Sequence, residues 1–278
     1  MALEDPISTQ ATEALALRYG EHAPAAILWN DTIAQLLAHR TQRGLRSDPL
    51  PEGVIPTLVA AAQSAASSSN LQLWSVVAIH DAEKRRELAR LAGGQKHIEQ
   101  APLILLWVAD LARAKLIADE AGQVAEGYDF LESFTVAAVD TGIAAQNAVI
   151  AAESLGLGTV YIGALRNHPE EVARLAGLPD RAAVVFGLVV GWPDAERSAS
   201  VKPRLPQSAV LYDERYDQAG QSAAITTYDA TARHFQETQG QDPVGWRAQV
   251  VARGASAAAL HGRDRLKAAL RKLGFALK

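Results

Sequence analysis

The stretch Asp129-Phe-Leu-Glu-Ser-Phe-Thr-Val-Ala-Ala-Val-Asp-Thr-Gly-Ile-Ala-Ala-Gln-Asn-Ala-Val-Ile-Ala-Ala-Glu-Ser-Leu155 holds the longest apolar region of the chain, Phe134 to Ile150, and its reading decides the fold. The spacing predicts a helix that is apolar on most sides, and such a helix is buried in a core or an interface. Asp140, Gln146 and Asn147 interrupt it, and no stretch reaches the ~20 apolar residues of a membrane span. Gly156–Gly158 predicts the helix stop and Thr159–Gly163 a short strand. Gly156, Gly158 and Gly163 approach a dinucleotide fingerprint but miss its spacing, and they follow a helix where the fingerprint needs a strand.

Working outward from this helix, Leu73–His80 alternates and is β-branched, which predicts a strand. Leu103–Ala109 and the valine-rich Ala182–Gly191 are continuous apolar runs, as fully buried strands are. Helices are predicted over Thr32–Ala38, with Asn30 or Asp31 as cap, and over Val54–Ala66, Ala82–Leu91, Leu111–Ala121 and His168–Ala176. Val210–Tyr212 reads as one more short strand. The tail is helical over Ala219–Thr238, Trp246–Arg253 and Gly262–Leu273. Helices outnumber strands, and single helices separate the strands. That pattern predicts a three-layer α+β or α/β sandwich around one sheet. The expected organisation is an N-terminal arm over 1–28, a core over 29–217 and a helical tail over 218–278 that is not an independent domain.

The 278 residues carry 27 basic and 31 acidic side chains, a net charge of −4, which gives no sign of a nucleic-acid partner. The chain has no cysteine, so disulfides, thiolate nucleophiles, iron–sulfur clusters and cysteine-ligated zinc are excluded together. The seven histidines never pair at metal-ligand spacing, and no metal is expected. A phosphate loop, a G-x-S-x-G elbow and an H-E-x-x-H motif are all absent. The N-terminus lacks the basic flank and apolar run of a secretory signal. These observations set the expectation of a cytoplasmic protein with no membrane partner.

Four polar clusters stand out. His39-Arg40-Thr41-Gln42-Arg43 closes a predicted helix. It reads either as cations at a helix C-terminus or as a phosphate site, since the planar arginine fork matches phosphate oxygens. Ser67-Ser68-Ser69-Asn70 is a polar turn between helix and strand. Gly93-Gly94-Gln95-Lys96-His97 either ends a helix or lets backbone approach a flat ligand. Lys202-Pro203-Arg204-Leu205-Pro206 is a loop in which prolines fix two cations.

Taken together and in this order, the clusters resemble the NADPH-dependent FMN reductases and oxygen-insensitive nitroreductases of the NfsA–flavin reductase group, in the nitroreductase superfamily. The resemblance is densest over Leu91–Gln100 and Val139–Asn167, continues through Phe186–Pro193 and Lys202–Pro206, and covers about residues 31–215. It implies an α+β three-layer sandwich whose central sheet is mostly antiparallel and flanked by helices, with a helical C-terminal tail. It also implies a homodimer that binds FMN at its interface. His39, Arg40, Thr41, Lys202 and Arg204 would hold the FMN phosphate. Ser67 and Gln95 would contact the flavin or its phosphate, Arg43 would sit at the ring edge, and Tyr161, Ile162, Gly163 and Ala164 would run along the ring. No catalytic side chain is expected, because the cofactor carries the hydride chemistry while the protein orients and tunes it. The implied donor is NADPH rather than NADH, and the implied acceptors are small aromatic molecules: nitroaromatics, quinones or free flavin. A superfamily reductase for an enoate or azo compound and a non-catalytic FMN storage or sensor protein are the alternatives.

The sequence departs from the family pattern in three places. Thr41 stands where serine is common, and Ala164 where a second glycine is common. Glu237-Thr-Gln-Gly-Gln-Asp242 lacks the basic residue expected to meet the extra phosphate of NADPH. Arg263 is the tail arginine that aligns best for that role, with Arg247 and Arg253 as alternatives.

Overall fold

The computed structural model describes residues 9–24 and 27–278, so the expected N-terminal arm lies partly outside the described residues. In chain order the elements are α1 (Thr9–Tyr19), α2 (Asp31–Ala38), α3 (Val54–Gln63), β1 (Trp74–Ile79), α4 (Ala82–Leu91), α5 (Lys96–Gln100), β2 (Leu103–Asp110), α6 (Ala112–Glu120), α7 (Leu131–Ser154), β3 (Gly158–Ile162), α8 (Pro169–Ala176), β4 (Ala182–Gly191), α9 (Gln221–Thr238), α10 (Gly245–Gly254) and α11 (Leu266–Lys272). They form two compact units, Met1–Arg40 with Ser200–Leu260, and Thr41–Ala199 with His261–Lys278.

The second unit contains the sandwich. Its four strands lie in the order β1-β2-β4-β3, and every neighbouring pair is antiparallel. One face of the sheet presents Ile104, Leu106, Val160, Ile162 and Val189 to Leu88 and Leu91 of α4, Ile98 of α5 and Val172 of α8. The other presents Leu103, Leu105, Trp107, Leu188 and Val190 to Leu58 of α3 and to Ala144, Ala145, Ala148 and Val149 of α7. Period-two alternation explains this division everywhere except β4, where Val184 joins the first face and Phe186 packs against the second. The register shifts by one residue between Trp107 and Val108, so Val185 bulges and the parity of β4 flips. The carbonyl oxygen of Val185 accepts from the Arg166 guanidinium.

The helix α7 is long and apolar enough by length and composition to cross a membrane. In the fold it is a core helix. Asp140 and Thr141 are buried on it, and Thr141 Oγ1 donates to the Ala137 carbonyl 2.6 Å away. It ends as the glycines predict, with Gly156 at φ +77° and β3 starting at Gly158.

The first unit contains α1, α2, α9 and α10. Asn30 caps α2, its Oδ1 accepting from the Ile33 amide at 2.9 Å, as expected. A buried carboxylate joins α9 to α10: Asp229 accepts the Arg247 amide at 2.7 Å and the Arg233 guanidinium at 3.0 Å. These contacts, the Arg247 amide first, hold the Asp229 carboxyl below the usual carboxylate range. Gly245 is required here, because its φ is +78° and a Cβ would lie 2.6 Å from Asp229 Oδ1. No strand forms over Val210–Tyr212, contrary to the expectation. Pro206 leads into a 3₁₀ turn over Gln207–Ala209, and the Tyr212 hydroxyl donates back to the Ala209 carbonyl at 3.2 Å.

Candidate functional site

In the first unit, His39 follows the last residue of α2 with φ −51° and ψ 135°, which turns the chain out of the helix. Arg40 is exposed, as are Lys202 and Arg204 on either side of the buried Pro203. The side chain that assembles these segments is Arg18, at the end of α1 and 4% exposed. Its Nη2 donates to the Leu37 carbonyl at 2.5 Å and to the His39 carbonyl at 2.8 Å. Its Nη1 donates to the Lys202 carbonyl at 2.8 Å, and its own carbonyl accepts the Arg204 amide at 2.8 Å. Tyr228 of α9 adds a hydrogen bond to the Pro203 carbonyl at 3.1 Å. The backbones of His39, Lys202 and Arg204 therefore belong to one hydrogen-bonded assembly, and Arg40 follows His39 directly in the chain. Arg18 was not among the residues singled out from the sequence, because a lone arginine on an amphipathic helix gives no signal of burial.

In the second unit, Thr41 forms a backbone bridge with Thr159 at the start of β3, and the Gln42 amide donates to the Thr159 carbonyl at 2.8 Å. The Gln42 side chain is buried. Its Nε2 donates to the carbonyls of Gly44 at 2.7 Å and Arg197 at 3.1 Å, and its Oε1 accepts the Ala199 amide at 3.1 Å. This anchors the segment that exposes Arg43. The Gln95 amide nitrogen donates to the Ala92 carbonyl at 2.9 Å, which closes the turn after α4. Nearby His97 has a buried Nε2 with no hydrogen-bond partner. Burial, and then the charge of Arg43, push the His97 imidazole below its ordinary value, so near neutral pH Arg43 supplies the positive charge of this corner.

Ser67 opens a turn in which Ser69, Asn70 and Gln72 all have left-handed backbone, at φ +49°, +55° and +51°. Asparagine tolerates that region, while serine and glutamine are strained in it. Asp140 holds the turn from the middle of α7. Its Oδ2 accepts the Ser67 hydroxyl at 2.6 Å and its Oδ1 the Ser68 amide at 3.2 Å, while the Gln72 amide donates to Ser67 Oγ at 2.8 Å. Six residues further along α7, about 9 Å along its axis, Gln146 Oε1 accepts the Tyr161 hydroxyl at 3.4 Å. The Tyr161 ring stands edge-on to Phe186, centroids 5.0 Å apart. Burial, and then the Glu153 carboxylate, push its phenol well above the ordinary range. Ile162 is buried, and Gly163 and Ala164 enter a 3₁₀ turn over Gly163–Asn167. One helix thus fixes both Ser67 and Tyr161.

Arg263 lies in the 3₁₀ turn Arg263–Arg265 before α11. The preceding Gly262 has φ +86°, and a Cβ there would come within 3.3 Å of the Asn167 carbonyl oxygen, so the tail turn lies against the turn that follows β3. Arg247 sits elsewhere, its guanidinium donating to the Ser222 carbonyl at 3.1 Å and to Thr226 Oγ1 at 2.8 Å. Arg253 donates to the Ala259 carbonyl at 3.2 Å. Among the described residues no group of histidines and carboxylates could hold a metal.

Comparison with known proteins shows the family. The model of the nitroreductase family matches residues 36–192, and that of the nitroreductase family C-terminal domain matches residues 202–278. The chain is 40% identical over 224 residues to the NADPH-flavin oxidoreductase of Vibrio harveyi, covering 80% of this chain and 90% of that protein. It is 36% identical over 211 residues to the oxygen-insensitive NADPH nitroreductase of Salmonella typhimurium, covering 76% and 85%. The solved structure of NfrA2 from B. megaterium superposes with a TM-score of 0.84 at 39% identity, over 90% of this chain and all of that one. The chain belongs to the nitroreductase family.

Proposed function

We propose that the protein is an FMN-dependent NAD(P)H oxidoreductase that reduces nitroaromatics, quinones or free flavin in two-electron steps, with NADPH as the preferred donor. The names of the relatives support this reading: an NADPH-flavin oxidoreductase, an FMN reductase and an NADPH nitroreductase. The observation that carries it is the assembly built on Arg18, which joins the backbones of His39, Lys202 and Arg204. Arginine forks and an imidazole suit the oxygens of a phosphate monoester, and the donor set fits FMN.

FMN, when bound, supplies the two-electron chemistry that no side chain of this site offers. The chain's residues bind and orient it. His39, Arg40, Thr41, Lys202 and Arg204 take the phosphate. Ser67, Gln95 and Arg43 contact the flavin, and Tyr161, Ile162, Gly163 and Ala164 line its ring. Arg43 is the cation that steadies the negative charge a flavin gains on reduction. With FMN bound, donor and acceptor would use the same cleft in turn, a ping-pong order. Acid or heat is expected to release a yellow compound that co-migrates with FMN, and adding NADPH under argon is expected to bleach the holoprotein. A colourless protein that also fails to bind added FMN would overturn the reading.

We further infer that the protein works as a homodimer. The helix α7 exposes Val139 and Ile143, one turn apart and 54% and 42% exposed, beside Gln146. An apolar stripe of this kind needs a covering surface. Burial of about 2,000 Å² or more is expected for an obligate dimer, and light scattering at micromolar concentration should return twice the chain mass. A stable monomer would contradict this. The same reading puts the protein in the cytoplasm, the compartment of the NADPH pool on which it would draw.

A further inference from the structure

We propose that Arg18 is a positioning residue for phosphate recognition, fixing the His39–Arg40 corner and the Lys202–Arg204 loop in one arrangement and offsetting the field of the helix end on which that corner sits. The inference rests on the reading above, in which these cations take the phosphate of FMN.

The argument begins with an electrostatic difficulty. Anions settle at helix N-termini, where amide groups point outward and the dipole is positive. The His39–Arg40 corner instead follows the C-terminus of α2, where the last carbonyls lack helical partners and the partial charge is negative. Left alone, that end would repel a phosphate. Arg18 puts a guanidinium against it, with Nη2 on the carbonyls of both Leu37 and His39.

The second part is geometric. The same guanidinium reaches the Lys202 carbonyl through Nη1, and the Arg18 carbonyl receives the Arg204 amide. Residues 184 positions apart in sequence are thus joined by one side chain. A planar fork with five N–H donors can span three carbonyls in fixed directions, whereas the compact lysine ammonium cannot reproduce that geometry. Arg18 precedes residue 36, so it lies outside both regions matched by the family models. A segment that those models do not describe therefore braces the segments assigned to the phosphate.

The test compares two ligands that differ only in the phosphate. Dissociation constants for FMN and riboflavin are measured by flavin fluorescence on the full apoprotein, for wild type, Arg18→Met and Arg18→Lys. Wild type should prefer FMN. In Arg18→Met, FMN affinity should fall about tenfold or more, on the scale of a charge-assisted contact, while riboflavin affinity stays within about twofold. Arg18→Lys keeps the charge and loses the fork, and should fall between. An unchanged FMN-to-riboflavin ratio would overturn the inference, and so would an equal loss for both ligands, which marks a merely structural role. If Arg18→Met fails to fold, Arg18→Lys decides: a drop in the ratio of about threefold supports the inference and none overturns it. A wild type with no preference for FMN over riboflavin would instead overturn the phosphate reading itself.

Discussion

Replacing Asp140 with alanine is expected to cost about 3–6 kcal/mol of folding stability, the sum of two hydrogen bonds to a charged group at about 1.5–3 kcal/mol each. Asp140 is 3% exposed, and its two oxygens receive the Ser67 hydroxyl and the Ser68 amide. Without the carboxylate, the Ser67 side chain keeps only the Gln72 amide that it accepts. Two of the turn's anchors are then lost together, and Ser69, Asn70 and Gln72 can relax out of the left-handed region. Flavin affinity should fall with stability, since Ser67 is assigned to the cofactor. Asp140→Asn should be milder, because the amide oxygen can still accept from Ser68 while the amino group turns to Ser67 Oγ. The control is Asp119→Ala, which removes an exposed partner of Lys115 at the end of α6 and should stay within about 0.5 kcal/mol. Urea denaturation at fixed protein concentration measures all three. An alanine variant at 140 as stable as the one at 119 would show that the turn holds itself.

How much of this could be read from sequence depends on how local the cause is. The helix α7 and the strand β2 are legible because apolar spacing alone specifies them. Ala82–Leu91 is legible to the residue, with Asp81 at one end accepting from the Lys84 amide and the glycine pair at the other. The bulge at Val185 is not. In a continuous valine-rich run every position is apolar, so a change of parity leaves no trace in the pattern. The five-residue α5 is hidden for a related reason, since it is shorter than any window that could reveal a period. Val210–Tyr212 has strand-like residues, yet a tyrosine hydroxyl reaching back three residues closes a turn there.

The candidate site divides in the same way. Its cations and glycines are visible as clusters, because phosphate and flat ligands demand particular residue types. The groups that hold them are invisible, because their role depends on partners far away in the chain. Gln42 lies inside the first cluster and still reads as part of a polar string, although its side chain is buried and bonded to residues 155 and 157 positions away. Arg18 reads as solvated helix surface, and Asp140 only as an oddity in an apolar run. Candidate binding residues can be proposed from sequence, and the residues that position them require coordinates.

The choice of nicotinamide donor turns on a charge that the expected place lacks. NADPH differs from NADH by one phosphate, and Gln239 and Gln241 bring donors without charge to the stretch where the resemblance implies a cation. The geometry favours Arg263 over the other tail arginines. Arg247 braces α9 from α10, so its loss would be felt as stability. Arg263 instead follows a glycine whose backbone lies against Asn167, the last residue of the turn that begins at Gly163. That turn starts in the strip assigned to the flavin ring, and a donor has to bring its nicotinamide to the ring. Arg263→Ala is therefore expected to lower kcat/KM for NADPH about ten- to a hundredfold, the loss of one charge-assisted contact, while the value for NADH barely moves. The wild type should prefer NADPH by a similar factor. Parallel loss with both donors would mean that Arg263 shapes the surface without reading the phosphate. A wild type that prefers NADH would remove the need for any such cation and overturn the assignment.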